Sequence, residues 1–225
     1  MYILYGGDFT RSALVQWVLD EGGLPYAFRK IDIVKGEHRE PAFLAINPAG
    51  LVPVLITPEG EVLTETAALM VTLADRHALT DLAPAPSDPL RGLFLSTIFF
   101  LASDIQAEMK RFHFPHRFSP RPEDNLKIQD MAKAMVLSRL AVVNARLEKS
   151  GPHLLGARFS LADTFLCFWI AYLDRVAVCA QMSAIGRLYA LVKARPKASA
   201  LFAETEKAAD DYAELMRQTP TGVIP

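Results

Sequence analysis

Along the first eighty residues the apolar positions change period several times, and each change predicts an element. Tyr2 to Tyr5 is a short β-rich run ended by Gly6-Gly7. From Arg11 to Glu21 the polar residues Ser12, Gln16 and Asp20 recur every fourth position while most others are apolar. That pattern predicts a helix with one narrow wet stripe and otherwise buried faces, stopped by Gly22-Gly23. Arg29, Ile31 and Ile33 then alternate with Lys30 and Asp32, which predicts a second strand. A short helix fits Glu40 to Ile46. Val54-Leu55-Ile56 and Glu61-Val62-Leu63 are brief β-rich runs around the turn signal Pro58-Glu59-Gly60. A helix from Thr66 to His77 follows. The order βαβα and then ββα predicts a small mixed sheet with helices packed on it.

The stretch Ala83 to Pro89 is rich in proline and predicts a linker; beyond it the strand signals vanish. Phe94, Ile98, Leu101 and Ile105 follow helical spacing, and Val136, Leu140, Val143 and Leu147 repeat it. These predict two long helices joined by a segment from Phe112 to Pro122. Ser160-Leu161-Ala162-Asp163 reads as a helix N-terminus, with Ser160 capping and Asp163 in the first turn. The apolar run after it predicts a central buried helix. Two more helices are expected, at Ser183 to Ala194 and Ala198 to Met216. The expected organisation is an α/β part over residues 1–80, a linker at 81–88 and an all-helical part over 89–225.

Charge narrows the partners. Lys and Arg number 24 against 25 Asp and Glu, which removes the basic footprint expected of a nucleic-acid binder. The longest apolar run, Phe165 to Leu173, is far shorter than the roughly 20 residues that span a bilayer, so no membrane partner is expected. The first residues lack the basic start and cleavage site of a signal peptide. The two cysteines, Cys167 and Cys179, sit in apolar stretches and do not make a disulfide framework. A cytoplasmic protein is expected.

Three segments carry candidate chemistry. Gly6-Gly7-Asp8-Phe9-Thr10-Arg11-Ser12 feeds a helix, and hydroxyls and amides at a helix opening suit an anion. In Asn47-Pro48-Ala49-Gly50-Leu51-Val52-Pro53-Val54-Leu55, a cis proline before the strand would leave the Val52 amide and carbonyl free to take an extended peptide as an added strand. Leu63-Thr64-Glu65-Thr66 offers a carboxylate for an amine and donors for a carboxylate.

With these segments in order, the chain resembles the cytosolic glutathione transferases. Lys35-Gly36-Glu37-His38 with Phe43 through Pro53 is similar to the family's loop before its cis proline. Glu65-Thr66 looks like its Glu-Ser pair, and Phe159 to Asp163 resembles its capping motif in the helical domain. The resemblance implies a thioredoxin-like α/β N-terminal domain followed by an all-α helical bundle. It implies glutathione as co-substrate and no metal. Val52, next to Leu51 in the binding loop, would pair its backbone with the cysteinyl part while Pro53 holds the turn. Glu65 and Thr66 would take the γ-glutamyl end and His38 the glycine carboxylate, though His38 reads equally as an exposed loop residue. The fourth and fifth helices would form a homodimer interface, with Asp104 reaching the partner's glutathione.

The family's usual serine or cysteine positions, counted back from Gly23, fall on Phe9 and Arg11. Thr10 is therefore the first choice of hydroxyl donor to the thiolate, Ser12 the second and Tyr5 the third, with Arg11 adding positive charge. Thr10 and Ser12 read alternatively as plain helix caps. The absence of a cysteine near the first helix argues against thiol–disulfide exchange. Phe112, Phe114 and Phe118 either line an apolar acceptor pocket or pack their loop. His113 and His116 lack a third ligand for a metal. The expected activity is addition of the glutathione thiolate to a small apolar electrophile. The alternatives are a glutathione-dependent isomerase or dehalogenase, and a non-catalytic interaction protein that kept the fold.

Overall fold

A computed structural model describes residues 1–218, with side chains through residue 215. The last residues of the expected 89–225 helical part, 219–225, lie outside the described residues.

Four strands, β1 (Tyr2–Gly6), β2 (Tyr26–Lys30), β3 (Val54–Ile56) and β4 (Val62–Thr64), form one sheet in the order β2-β1-β3-β4. β1 runs parallel to β2, with Tyr2 opposite Tyr26 and Gly6 opposite Lys30. The β1–β3 and β3–β4 pairs are antiparallel, so Leu55 lies between Leu4 and Leu63. A parallel neighbour needs a crossover, and α1 (Ser12–Glu21) supplies it. Helix α2 (Pro41–Leu44) precedes β3, and α3 (Thr66–Arg76) packs against α1.

The second strand differs from its expected place. The alternation through Ile33 mimics a strand, but the Asp32 carboxylate accepts the amides of Val34 and Lys35 at 3.1 and 3.0 Å. Its own amide donates to Glu37 at 2.6 Å. Local side-chain bonding thus turns the chain just after Lys30. The strand is the segment before it, where β1 offers partners.

Beyond the sheet the described residues are helical: α4 (Arg91–Phe100), α5 (Gln106–His113), α6 (Asn125–Ser150), α7 (Leu161–Ala171), α8 (Arg175–Gln181), α9 (Ser183–Lys193) and α10 (Pro196–Gln218). A π-helical turn, Leu101–Ile105, joins α4 to α5. Helix α8 was not expected. It is one short helix with little periodicity, started where Asp174 accepts the Ala177 amide at 3.1 Å.

Helix α7 is buried along its whole length. Its capping box holds as expected: the Asp163 carboxylate accepts the Ser160 amide at 2.7 Å and the Leu154 amide at 2.8 Å. Burial outweighs these bonds and lifts the Asp163 carboxyl to about 6. One apolar core runs through the whole molecule, and Trp17 of α1 meets Phe159 edge to face at 6.4 Å. The segment 81–88 takes part, since Leu82, Ala83 and Pro84 are buried and Leu82 accepts the Leu161 amide at 2.7 Å. Helix α10 lies beside α1, and Lys197 donates to the carbonyls of Asp20 and Glu21 at 2.7 and 3.1 Å. Among the described residues no helix is long and apolar enough to cross a membrane.

Candidate functional site

The three sequence segments meet at one cleft of about 270 Å³. The first wall begins at Gly6-Gly7. A Cβ on Gly7 would stand 2.1 Å from the Ile31 carbonyl oxygen, so only glycine lets the chain pass there. Phe9 then takes a left-handed φ of 59°, a conformation that costs a bulky residue on the order of 1–3 kcal/mol and tends to gather at functional sites. It turns the chain so that Phe9, Thr10 and Arg11 all line the cleft.

The hydroxyls here are committed inward. Thr10 Oγ1 donates to the Gly7 carbonyl at 2.7 Å and accepts the amides of Gly7 and Ser12 at 3.2 and 3.3 Å. The buried Ser12 hydroxyl lies 2.8 Å from it. These are the bonds of a loop cap. Ser12 and Tyr5 are absent from the cleft lining; Tyr5 packs on Phe43 at 6.1 Å. Arg11 is placed differently. Its Nε donates to Thr66 Oγ1 at 3.2 Å, and its guanidinium lines both the cleft and a smaller chamber behind it. Burial lowers its pKa, opposed by the charge of Glu65.

The second segment adds backbone. Asn47 Nδ2 donates to the Leu51 carbonyl at 2.8 Å and Oδ1 accepts the Ala49 amide, holding the loop from inside. The Val52–Pro53 bond is cis. Sheet pairing begins only at Val54, and the Val52 amide and carbonyl take no backbone partner among the described residues. Leu51, Val52 and Pro53 all line the cleft. So do Glu65, with φ 68°, and Thr66, whose hydroxyl meets Arg11. His38 closes this side. Burial, then Arg39 and Arg117, lower its pKa, and its buried Nδ1 has no hydrogen-bond partner among the described residues.

The opposite wall is made of side chains from Lys110 and Phe114 near the end of α5, Arg117 and Phe118 beyond it, and Tyr212 of α10. The Arg117 guanidinium stacks 4.4 Å from the Phe114 ring centre. Lys110, Arg117, Tyr212 and Phe9 were not expected. They come from separate elements, and no spacing in the sequence joins them.

Besides Ser12 and Tyr5, two further expected residues fall elsewhere. Phe112 lines a separate cavity of about 390 Å³ with Gln129, Asp174 and Arg175; His113, Tyr172 and Tyr212 line both this cavity and the inner chamber. Asp104 lies on the π-helical turn, 3.6 Å from Arg139 Nε, and does not line the cleft of its own chain. His113 is ringed by Phe112, Phe114, Tyr172 and Tyr212. Burial there drops its pKa to about 4. Among the described residues, no three His, Cys, Asp or Glu side chains gather into a candidate metal site.

The cleft is electropositive. Arg11, Lys110 and Arg117 line it, and Glu65 is its only carboxylate among the described residues. Free main chain on one side, and cations that form no ion pair among the described residues around it, suit a flexible anionic peptide.

Comparison with known proteins agrees with this geometry. The family model for the glutathione S-transferase N-terminal domain matches residues 12–76. Glutathione S-transferase 3 of Zea mays is 30% identical over 175 residues, covering 71% of this chain and 72% of that protein. A glutathione transferase homologue from Sulfitobacter, solved with bound glutathione, superimposes with a TM-score of 0.80 at 28% identity, over 91% of this chain and 98% of that one. A Sphingomonad glutathione S-transferase in complex with glutathione gives 0.74 at 27% identity, over 90% and 98%. The mixed sheet with its helices is thus the thioredoxin-like unit followed by the helical part of this fold, and the chain belongs to the glutathione S-transferase family.

Proposed function

We propose that this protein binds glutathione in the cleft, stabilises its thiolate and adds the sulfur to a small electrophile with an apolar body. The observation that carries this is the unpaired main chain of Val52 beside an electropositive helix opening. In this reading residues 1–80 bind glutathione and 89–225 complete the acceptor side. The Val52 amide and carbonyl pair with the cysteinyl residue, Glu65 takes the γ-glutamyl ammonium, Thr66 its carboxylate and His38 the glycine carboxylate.

An ordinary thiol titrates near about 8.5, so half-ionisation at pH 7 needs about 1.5 units, or roughly 2 kcal/mol. A cation beside the sulfur and the opening of α1 are enough to supply that. Since Thr10 and Ser12 point their hydroxyls inward, Arg11 is the group that holds the thiolate. The thiol proton leaves to solvent. The sulfur lone pair forms the C–S bond, and the displaced electron pair goes to the leaving group or to the acceptor's conjugated system.

The assembly we propose is a homodimer. The longer expected helices correspond to α4–α5 and α6, and they expose large apolar side chains, Leu93 and Phe99 on α4 and Met131, Met135 and Val142 on α6. A reducing, cytoplasmic setting suits two free cysteines.

Titration calorimetry with glutathione tests the binding, and its absence at millimolar ligand overturns it. One observation favours a second reading, a glutathione-binding protein without turnover: no hydroxyl at the helix opening is free to donate. Binding without conjugation across a broad electrophile panel would establish that reading instead.

A further inference from the structure

Three cations line the cleft, Arg11, Lys110 and Arg117, and the glutathione reading gives a task to only two of them. The peptide brings two carboxylates and, once ionised, a sulfur. On the reading above, Thr66 takes one carboxylate and His38 the other. Arg39 and Arg117 both bear electrostatically on His38, so that end of the cleft is already positive. Arg11 serves the sulfur. Lys110 is left over.

Its position is specific. Lys110 lines both the cleft and the inner chamber, next to Arg11 at the junction of the two. Apart from Met109, the chamber's other walls are aromatic rings, among them Phe9, His113, Phe114, Phe168 and Trp169. No carboxylate of the described residues lies within ion-pair distance of the Lys110 ammonium. Burial, Arg11 and Arg117 all work against its charge, and only Glu65 favours it. A cation kept at an aromatic chamber with two like charges nearby is stabilised by an incoming anion. The helical side of the cleft therefore offers an aromatic surface with the Lys110 and Arg11 charges beside it.

We infer that the electrophile carries its own anionic group, a carboxylate on an apolar or aromatic body, and that Lys110 is the residue that selects it. The inference rests on the proposed glutathione reading and refines the acceptor expected from the sequence: apolar in body, charged at one end. Lys110 does not replace Arg11. It sets which acceptors lie beside the thiolate, and it offsets negative charge that builds on the acceptor as the C–S bond forms.

Binding of two near-isosteric conjugates, S-(4-carboxybenzyl)glutathione and S-(4-carbamoylbenzyl)glutathione, tests this without requiring turnover. Calorimetry on the full chain should show the carboxylate bound about tenfold tighter than the carboxamide, the scale of one partly desolvated charge pair. In Lys110→Gln that ratio should fall to about 1, and Lys110→Arg should restore most of it. Equal affinities in the wild-type protein overturn the inference. So does a Lys110→Gln variant that weakens both conjugates equally, because Lys110 would then serve glutathione itself. Failure of glutathione alone to bind the wild-type protein is a separate outcome that removes the underlying reading.

Discussion

The two walls of the cleft are built from different materials. The wall contributed by the sheet is largely main chain: the turn after β1, the bare backbone at Val52 and the opening of α3 at Glu65. The wall contributed by the helices is side chain: Lys110, Phe114, Arg117, Phe118 and Tyr212. A backbone surface recognises whatever can pair as a strand, so it suits an invariant ligand. A surface of aromatic and basic side chains changes with each substitution, so it suits a variable one. On the proposed function, the two walls separate a constant binding task from an adjustable one.

The sheet wall is most vulnerable at Gly7. Gly7→Val should cost well over about 3 kcal/mol and abolish glutathione binding, because its Cβ must displace the Ile31 backbone; thermal melting and calorimetry check this. Asp163→Ala comes next. It removes the partner of two buried amides beneath the helical wall, for an expected loss of about 2–4 kcal/mol in denaturant unfolding.

Arg11→Met should raise the pKa of bound glutathione by more than about one unit and lower kcat/KM about 30-fold. Thr10→Val should act mainly on stability, by about 1 kcal/mol. A pH titration of the thiolate absorbance in both variants separates the two roles, and the reverse ranking would return the thiolate to the hydroxyl.

His113 gives a pH test of the helical wall. Its folded pKa of about 4 lies below the ordinary 6.5, so between those values the unfolded chain holds a proton that the folded one does not. Its contribution to stability is full above about 6.5, falls as the pH drops and levels off below about 4, by about 3 kcal/mol in all. His113→Phe should flatten that part of the wild-type profile in melts across the range. The smallest effect is expected for Phe118→Ala: about a fivefold rise in acceptor KM with glutathione affinity unchanged.

The same division decides what could be read before folding. The sheet wall rests on local signals, such as Gly6-Gly7, Val52-Pro53 and Glu65-Thr66, where a few adjacent residues determine the backbone. The helical wall gathers residues from α5, from the turn beyond it and from α10, a hundred positions later. Lys110 and Tyr212 carry no mark in the sequence that pairs them. Phe112 shows the complementary problem: near-neighbour spacing grouped it with Phe114, yet it faces a different cavity. The hydroxyls of Thr10 and Ser12 had the right chemistry, but their geometry turns them onto the Gly7 carbonyl.

The last helix grips the first at two points. Lys197 fastens the trailing end of α1 through the carbonyls of Asp20 and Glu21, and Tyr212 rests against Phe9 just ahead of its leading end, ring centres 6.0 Å apart. Fifteen helical residues separate these contacts, a span of about 22 Å. Helix α10 therefore acts as a splint across the segment that carries Arg11, and any force that tilts this helix is delivered to the residue proposed to hold the sulfur.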